Sequence, residues 1–182
     1  MSELTERIAQ ANGFELGSLP ANQRGEKTPE QNSLLFLKLL APLIIVFFSV
    51  FFLYFLLSQQ GYLTGFSLTA DLSTTFQQLT TSIKVIGGIM IAVSIWAIVI
   101  LIQLILDIIG SSVAVLEGLG YRKITTSTDD DGSTTTRLYY VIAEKKFKVK
   151  RAGFSVFEDG KQYKAYFTPR RKVLVNVEAL DM

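Results

Sequence analysis

Two long apolar runs dominate the pattern along the chain. Leu39 to Leu57 is broken only by Pro42, Ser49 and Tyr54, and Val85 to Leu106 carries only Ser94 and Gln103 as polar side chains. A bilayer core about 30 Å thick needs roughly 20 helical residues, because each residue adds about 1.5 Å. Both runs meet that length, and neither has a polar face. The remaining soluble sequence is too short to bury such a pair inside a core. The pattern therefore predicts an antiparallel transmembrane hairpin over residues 33–110, with spans at about 34–57 and 85–107 and an outer loop at 58–84.

Ahead of the first run, Leu4, Ile8 and Ala11 fall on one helical stripe with Gly13 as a stop signal, so a short amphipathic helix is expected there. Gly17 to Lys27 reads as irregular. Thr28-Pro29-Glu30-Gln31 has the form of a capping box with proline at the first helical position. It predicts a helix running from Pro29 to about Leu57, with Pro42 as a possible kink. In the loop, Leu68, Leu72, Phe76, Leu79 and Ile83 recur at intervals of three and four, which predicts a second amphipathic helix. In the second span Gly88 and Ala92 form a small-xxx-small pair. Two arrangements are open: Phe47, Phe51 and Phe55 of the first span pack into that pair, or they face lipid.

After Ser111 the period changes to that of strands. Val113–Ser127, Thr134–Ala143, Phe147–Arg151, Lys161–Thr168 and Val173–Leu180 are the candidates, with turns at Asp131-Gly132, Asp159-Gly160 and Pro169-Arg170-Arg171-Lys172. Five short strands over 111–182 suggest a small SH3-like or OB-like barrel. Phe154 and Phe157 would sit on one helical turn that plugs an end of it. The fold class expected is thus membrane α+β: an N-terminal arm over 1–32, the hairpin, and a five-stranded β domain.

Charge orients this arrangement. The segment Ser58 to Ile83 holds no Lys or Arg, whereas thirteen lie beyond residue 110 and Arg7, Arg24, Lys27 and Lys38 precede or open the first span. Positive residues in short flanks stay on the cytosolic side, so both termini are expected in the cytosol and the loop outside. No cleaved signal peptide is expected, because the first thirty residues are polar and carry five acids. Lys38 and Asp107 stand at the cytosolic ends of the two spans, where they could pair or simply reach interfacial water.

Two stretches resemble a group of uncharacterised bacterial two-pass membrane proteins. The first is Leu19-x-x-Asn22-x-x-Gly25-x-x-Thr28-Pro29-x-Gln31, with Gln23 and Arg24 where that group usually has Arg directly after the Asn. The second is Tyr163-x-x-Tyr166-Phe167-x-Pro169-Arg170, followed by Leu174 and Glu178. Where the group usually turns on Gly or Asn, this chain has Ala143-Glu144-Lys145. The resemblance implies a cytosolic lead-in, a C-terminal β domain and a bacterial cell (inner) membrane, and it brings no established activity.

Candidate chemistry is sparse. The chain has no His and no Cys, which removes the commonest catalytic base, thiolate chemistry and most zinc, copper and haem sites. Asp129-Asp130-Asp131-Gly132 fails as a calcium loop, since Ser127 would fill the first ligand position and Leu138 the twelfth. No catalytic pair, cofactor or metal site is assigned, and the chain is not expected to be an enzyme. The remaining signal is basic: Lys146, Lys148 and Lys150 alternate with Phe147 and Val149, Arg151 adjoins them, and Arg170, Arg171 and Lys172 form a second cluster. These seven residues are the candidate contacts for anionic lipid headgroups or a partner. Single-stranded nucleic acid ranks last among partners and would need Tyr139 and Tyr166 as stacking platforms. The function expected is that of an integral membrane accessory or interaction protein, which holds a basic β domain at the cytosolic surface against lipid, a membrane-protein partner or further copies of itself. The alternatives are a subunit of an oligomeric channel or transporter, and a membrane tether for single-stranded nucleic acid.

Overall fold

The computed structural model describes residues 2–59, 63–64, 67–68 and 81–180. It is an α+β chain with two long apolar helices followed by a five-stranded antiparallel sheet. It divides into two compact units, Leu35–Ile105 and a composite of Met1–Leu34 with Leu106–Met182. The arm over 1–32 and the β domain over 111–182, which the sequence separates, therefore fold as one body. Nothing in the hydrophobic pattern of so short an arm reveals its partner.

In the helical unit, α3 spans Pro29–Gln59 and α4 spans Thr81–Ile109, each long and apolar enough to cross a membrane. The buried positions are Leu35, Leu39, Pro42 and Ser49 on α3, and Gly87, Ala97 and Leu104 on α4. Each set keeps the spacing of a single helical stripe. Gly87 approaches Leu53, with 3.7 Å between its would-be Cβ and Leu53 Cδ1. Of the two open arrangements, packing of the phenylalanine stripe into the Gly88 and Ala92 pair is not the one formed: Gly88 has nothing within 4 Å, and Phe47, Phe51 and Phe55 are exposed. Phe47 and Phe51 stack on each other instead, with centroids 6.3 Å apart. Between the helices, β1 (Leu63–Thr64) and β2 (Ser67–Leu68) form a small hairpin. The amphipathic helix expected between Leu68 and Ile83 falls mostly on residues 69–80, outside the described residues.

The composite unit begins with α1, Glu3–Asn12, capped by Ser2 at its start and ended by Gly13 at φ 74°. Its buried stripe is Thr5, Ile8, Ala9 and Asn12. A 3₁₀ turn at Leu16–Ser18 and the short α2, Leu19–Gln23, follow where the sequence reads as irregular. Pro20 at the start of α2 supplies the preset φ that initiates it. The strands are β3 (Ala114–Thr128), β4 (Thr134–Ile142), β5 (Lys145–Lys148), β6 (Gln162–Phe167) and β7 (Leu174–Ala179), in the order β5-β4-β3-β6-β7. A short helix, α5 (Arg151–Val156), joins β5 to β6.

One strand carries the sheet's organisation. Residues 114–119 of β3 pair with β6, and residues 120–128 pair with β4, so pairing is handed from one neighbour to the other midway. Gly118 and Gly120 sit at that handover because their neighbours leave no room for a side chain. A Cβ on Gly120 would lie 2.4 Å from the Tyr163 ring, and one on Gly118 would lie 2.7 Å from Ala143 Cβ. The core gathers on one face: Ile8 of α1 meets Tyr140, Ile142, Phe147, Phe157, Tyr163, Phe167 and Val177. Phe157 stacks between Tyr140 and Tyr163, with both centroid distances 4.1 Å. The β4–β5 turn places Ala143 and Glu144 at φ 43° and 67°, a conformation that ordinarily selects Asn or Gly.

Candidate functional site

The lead-in between α1 and α3 is held by a buried polar network. The cap at Thr28 forms as the capping box requires. Gln31 N–H donates to Thr28 Oγ1 at 3.4 Å, and Gln31 Oε1 accepts from Thr28 N–H at 3.1 Å. The same Gln31, nearly fully buried, also accepts from Asn22 Nδ2 at 2.9 Å and donates to Asn22 Oδ1 at 2.9 Å and Ser18 Oγ at 3.1 Å. Asn176 Nδ2 of β7 reaches Ser18 Oγ at 3.2 Å, and Asn22 Nδ2 donates to Glu26 O at 2.8 Å. Buried amides stabilise only when their bonds are complete, and these are. Leu19 seals the cluster against Val113, Tyr166 and Val175.

The motif residues of both stretches thus meet in space. Leu19 packs on Tyr166, Asn22 and Gln31 bond each other, and Gln23 Nε2 reaches Glu178 Oε1 at 3.0 Å. The Tyr166 hydroxyl donates to the other Glu178 oxygen at 2.7 Å, and burial together with that carboxylate raises its pKa. Tyr166 is therefore unavailable as a stacking platform, being 1% exposed; Tyr139 is half-buried. In the core, burial pushes the Tyr140 and Tyr163 hydroxyls up to about 12, so both remain neutral across the ordinary pH range, Tyr163 donating to Glu158 O at 3.0 Å and Tyr140 accepting from Asn12 Nδ2 at 2.9 Å.

A second cluster forms at the C-terminal end of α4. The lead-in runs beside the helix exit as a short antiparallel bridge, with Val113 N–H donating to Gly25 O at 2.8 Å and Lys27 N–H to Ser111 O at 3.0 Å. Lys27 Nζ donates to the carbonyls of Asp107 and Ile108, and Arg170 Nη1 donates to Leu106 O at 3.3 Å. Two cations thereby meet carbonyls of the last turn, at the negative end of the helix dipole, and the Leu106 carbonyl also accepts from Gly110 N–H at 3.1 Å. Partial burial lowers the Lys27 pKa, and the Asp107 charge works against that shift.

Asp107 itself is almost completely buried and accepts two main-chain N–H groups, from Arg170 at 3.2 Å and Arg171 at 2.8 Å. Its carboxylate fixes the Pro169–Lys172 turn at the helix end, in place of a side chain that merely reaches interfacial water. Lys172 closes the turn at φ 52°, donating its N–H to Thr168 O at 3.0 Å.

The seven basic candidates separate into groups. Arg170, Arg171 and Lys172 are exposed on the turn that Asp107 holds. Lys146 and Lys148 stand on β5 on either side of buried Phe147. Lys150 departs from the expected common strand face, because β5 ends at Lys148 and Lys150 is the cap position of α5. Its ammonium approaches Gly13, where a Cβ would meet it at 3.1 Å. Arg151 is the first residue of α5. The chain must leave the strand there to bring Phe157 into the core. Three further basic side chains lie outside the seven candidates, although Lys27 counts toward the charge bias. Lys27 carried no periodic signal, and Arg122 and Arg137 were lost among the polar residues of β3 and β4.

The fold is α+β, with two long apolar helices followed by a five-stranded antiparallel sheet. No protein-family model, curated protein or solved structure matches this chain.

Proposed function

We propose that this chain is an integral membrane accessory or interaction protein, whose hairpin fixes the composite domain at the cytosolic surface. The observation that carries the proposal is exposed apolar surface along both long helices: Leu37, Phe47 and Trp96 are 64%, 66% and 59% exposed, among many others. Water does not tolerate so continuous an apolar surface, and a bilayer is its natural solvent. The Lys and Arg bias supports an orientation with both termini in the cytosol and the 58–84 loop outside. The resemblance of the lead-in and C-terminal motifs supports a bacterial cell membrane. We also read the sheet as a partial barrel of SH3-like or OB-like type. The handover of pairing midway along β3 and the packing of Ile8 of α1 into the sheet's core support this reading.

In this reading the headgroup contact is Arg170, Arg171 and Lys172, together with Lys27. Lys27 and Arg170 donate to the last carbonyls of α4, and Arg171 and Lys172 share the Arg170 turn, hence the depth at which a spanning helix meets the cytosolic leaflet. Each basic residue near an anionic surface contributes about 1 kcal/mol. Lys146, Lys148, Lys150 and Arg151 lie on other elements and have no such tie to a helix end. The test uses the full chain in detergent, titrated with phosphatidylglycerol or phosphatidylcholine and examined by native mass spectrometry. Phosphatidylglycerol should be retained in preference, and changing Arg170, Arg171 and Lys172 to Gln should remove most of that preference. Changing Lys146, Lys148 and Lys150 to Gln should leave it. Equal retention of the two lipids by the native chain would overturn the assignment.

A further inference from the structure

We propose that the outer half of the β3–β4 hairpin is an assembly arm, whose acidic tip docks in the basic cleft of a second copy of this chain. Beyond Lys123 of β3, no third strand among the described residues accompanies the ribbon. β6 pairs only up to Leu119, and β5 meets β4 only from Tyr139 onward. The register nevertheless continues unbroken to Thr128↔Thr134, and every residue from Tyr121 to Arg137 is exposed. A two-stranded ribbon on its own is marginal in water, and its free edges invite a partner.

The charges say what the partner is. The tip, Asp129-Asp130-Asp131, forms no salt bridge among the described residues; only Asp131 Oδ1 is engaged, by Ser133 N–H at 2.9 Å. At the ribbon's base lies a cleft of 730 Å³ between the arm and α5, with Ile124, Leu138, Val149 and Phe154 as its apolar lining. Arg137, Lys148 and Arg151 also line it, no Asp or Glu does, and none of the three is salt-bridged among the described residues. Arg122, nearby over the Phe154 ring, is already committed to Asp159 at 3.1 Å.

An arm cannot satisfy itself. Arg137 lies three strand positions beyond Thr134, roughly 10 Å at 3.4 Å per residue, with the tip turn past Thr134, and the paired ribbon does not fold back. Two copies related by a twofold axis, with arms side by side and antiparallel, would set each tip beside the other's cleft. Both contacts form at once, as a closed dimer requires. This inference does not depend on membrane insertion, since tip and cleft belong to the composite unit alone.

Three measurements on the full chain in detergent test it. First, copies carrying Ser133→Cys are mixed with copies carrying Ser155→Cys, which preserves every charge and adds one thiol at the tip or the cleft. A short bismaleimide should join unlike copies severalfold faster at 50 mM than at 1 M salt. Second, reversing the tip (Asp129, Asp130 and Asp131 to Lys) or the cleft (Arg137, Lys148 and Arg151 to Glu) should each lower dimer at least tenfold by native mass spectrometry. Third, mixing the two reversed variants should restore a dimer of unlike copies. Absence of tip-to-cleft crosslinks overturns the proposal even if a reversed variant fails to fold. It is overturned equally if cleft reversal abolishes phosphatidylglycerol retention with the oligomeric state unchanged, because the cleft is then a lipid site.

Discussion

Residues 111–182 expressed alone should show no cooperative unfolding transition and poor amide dispersion, although they contain all five strands of the sheet. The fragment lacks Ile8, which is completely buried in the sheet's core, and Thr5, whose hydroxyl oxygen accepts from Ala179 N–H at 2.9 Å. Removing a buried Ile side chain alone costs about 2–5 kcal/mol, and each buried polar group left unpaired adds about 1–3. Loss of Gln31, Ser18 and Leu19 strips the other face as well. Against a total of about 5–15 kcal/mol for a domain, these losses are decisive. A chain in which a flexible Gly/Ser linker replaces residues 35–105 keeps both parts of the composite unit and should regain a sharp transition. A sharp transition for 111–182 by itself would show that the lead-in is an appendage and not part of the domain.

Gln31→Ala should be the most damaging single polar substitution, costing about 3 kcal/mol. It deletes the acceptor for Thr28 N–H and the partners of Asn22 and Ser18 together, inside a site that water does not reach. Hydrogen exchange measured by mass spectrometry should quicken about a hundredfold over 18–32, because each 1.4 kcal/mol is tenfold. Gln23→Ala removes an exposed bond to Glu178 and should change these amides little. Equal effects of the two substitutions would mean that the network is not what fixes the lead-in.

Elements governed by local rules were legible in the sequence. The capping box located the start of α3 at Pro29, the alternation and turn residues located all five strands to within a few positions, and Gly13 ended α1. Assembly at long range was not legible. That Ile8 enters the sheet, or that Gln31 lies 3.4 Å from the Val175 carbonyl, depends on contacts across more than a hundred residues. The stripe of Phe47, Phe51 and Phe55 illustrates the limit of periodicity. In a helix apolar on all sides, no contrast marks the packed face, and small residues such as Gly87 decide it. The basic candidates divided for a related reason. Alternation placed Lys146 and Lys148 together, but the strand's end at Lys148 was not written in the alternation, and Asp107 gave no sign of its hold on the Arg170 turn.

The proposed arrangement, a two-helix hairpin across a membrane with the composite domain on the cytosolic side, is open to a direct test. Because the chain has no Cys, single thiols can be placed without altering native ones. Thr64→Cys probes the loop, while Asp130→Cys and Lys161→Cys probe two exposed positions of the domain. An impermeant maleimide applied to intact cells should label position 64 at once. Positions 130 and 161 should react only after the membrane is opened. Labelling of 130 or 161 in intact cells, or protection of 64 with the other two open, would contradict the arrangement.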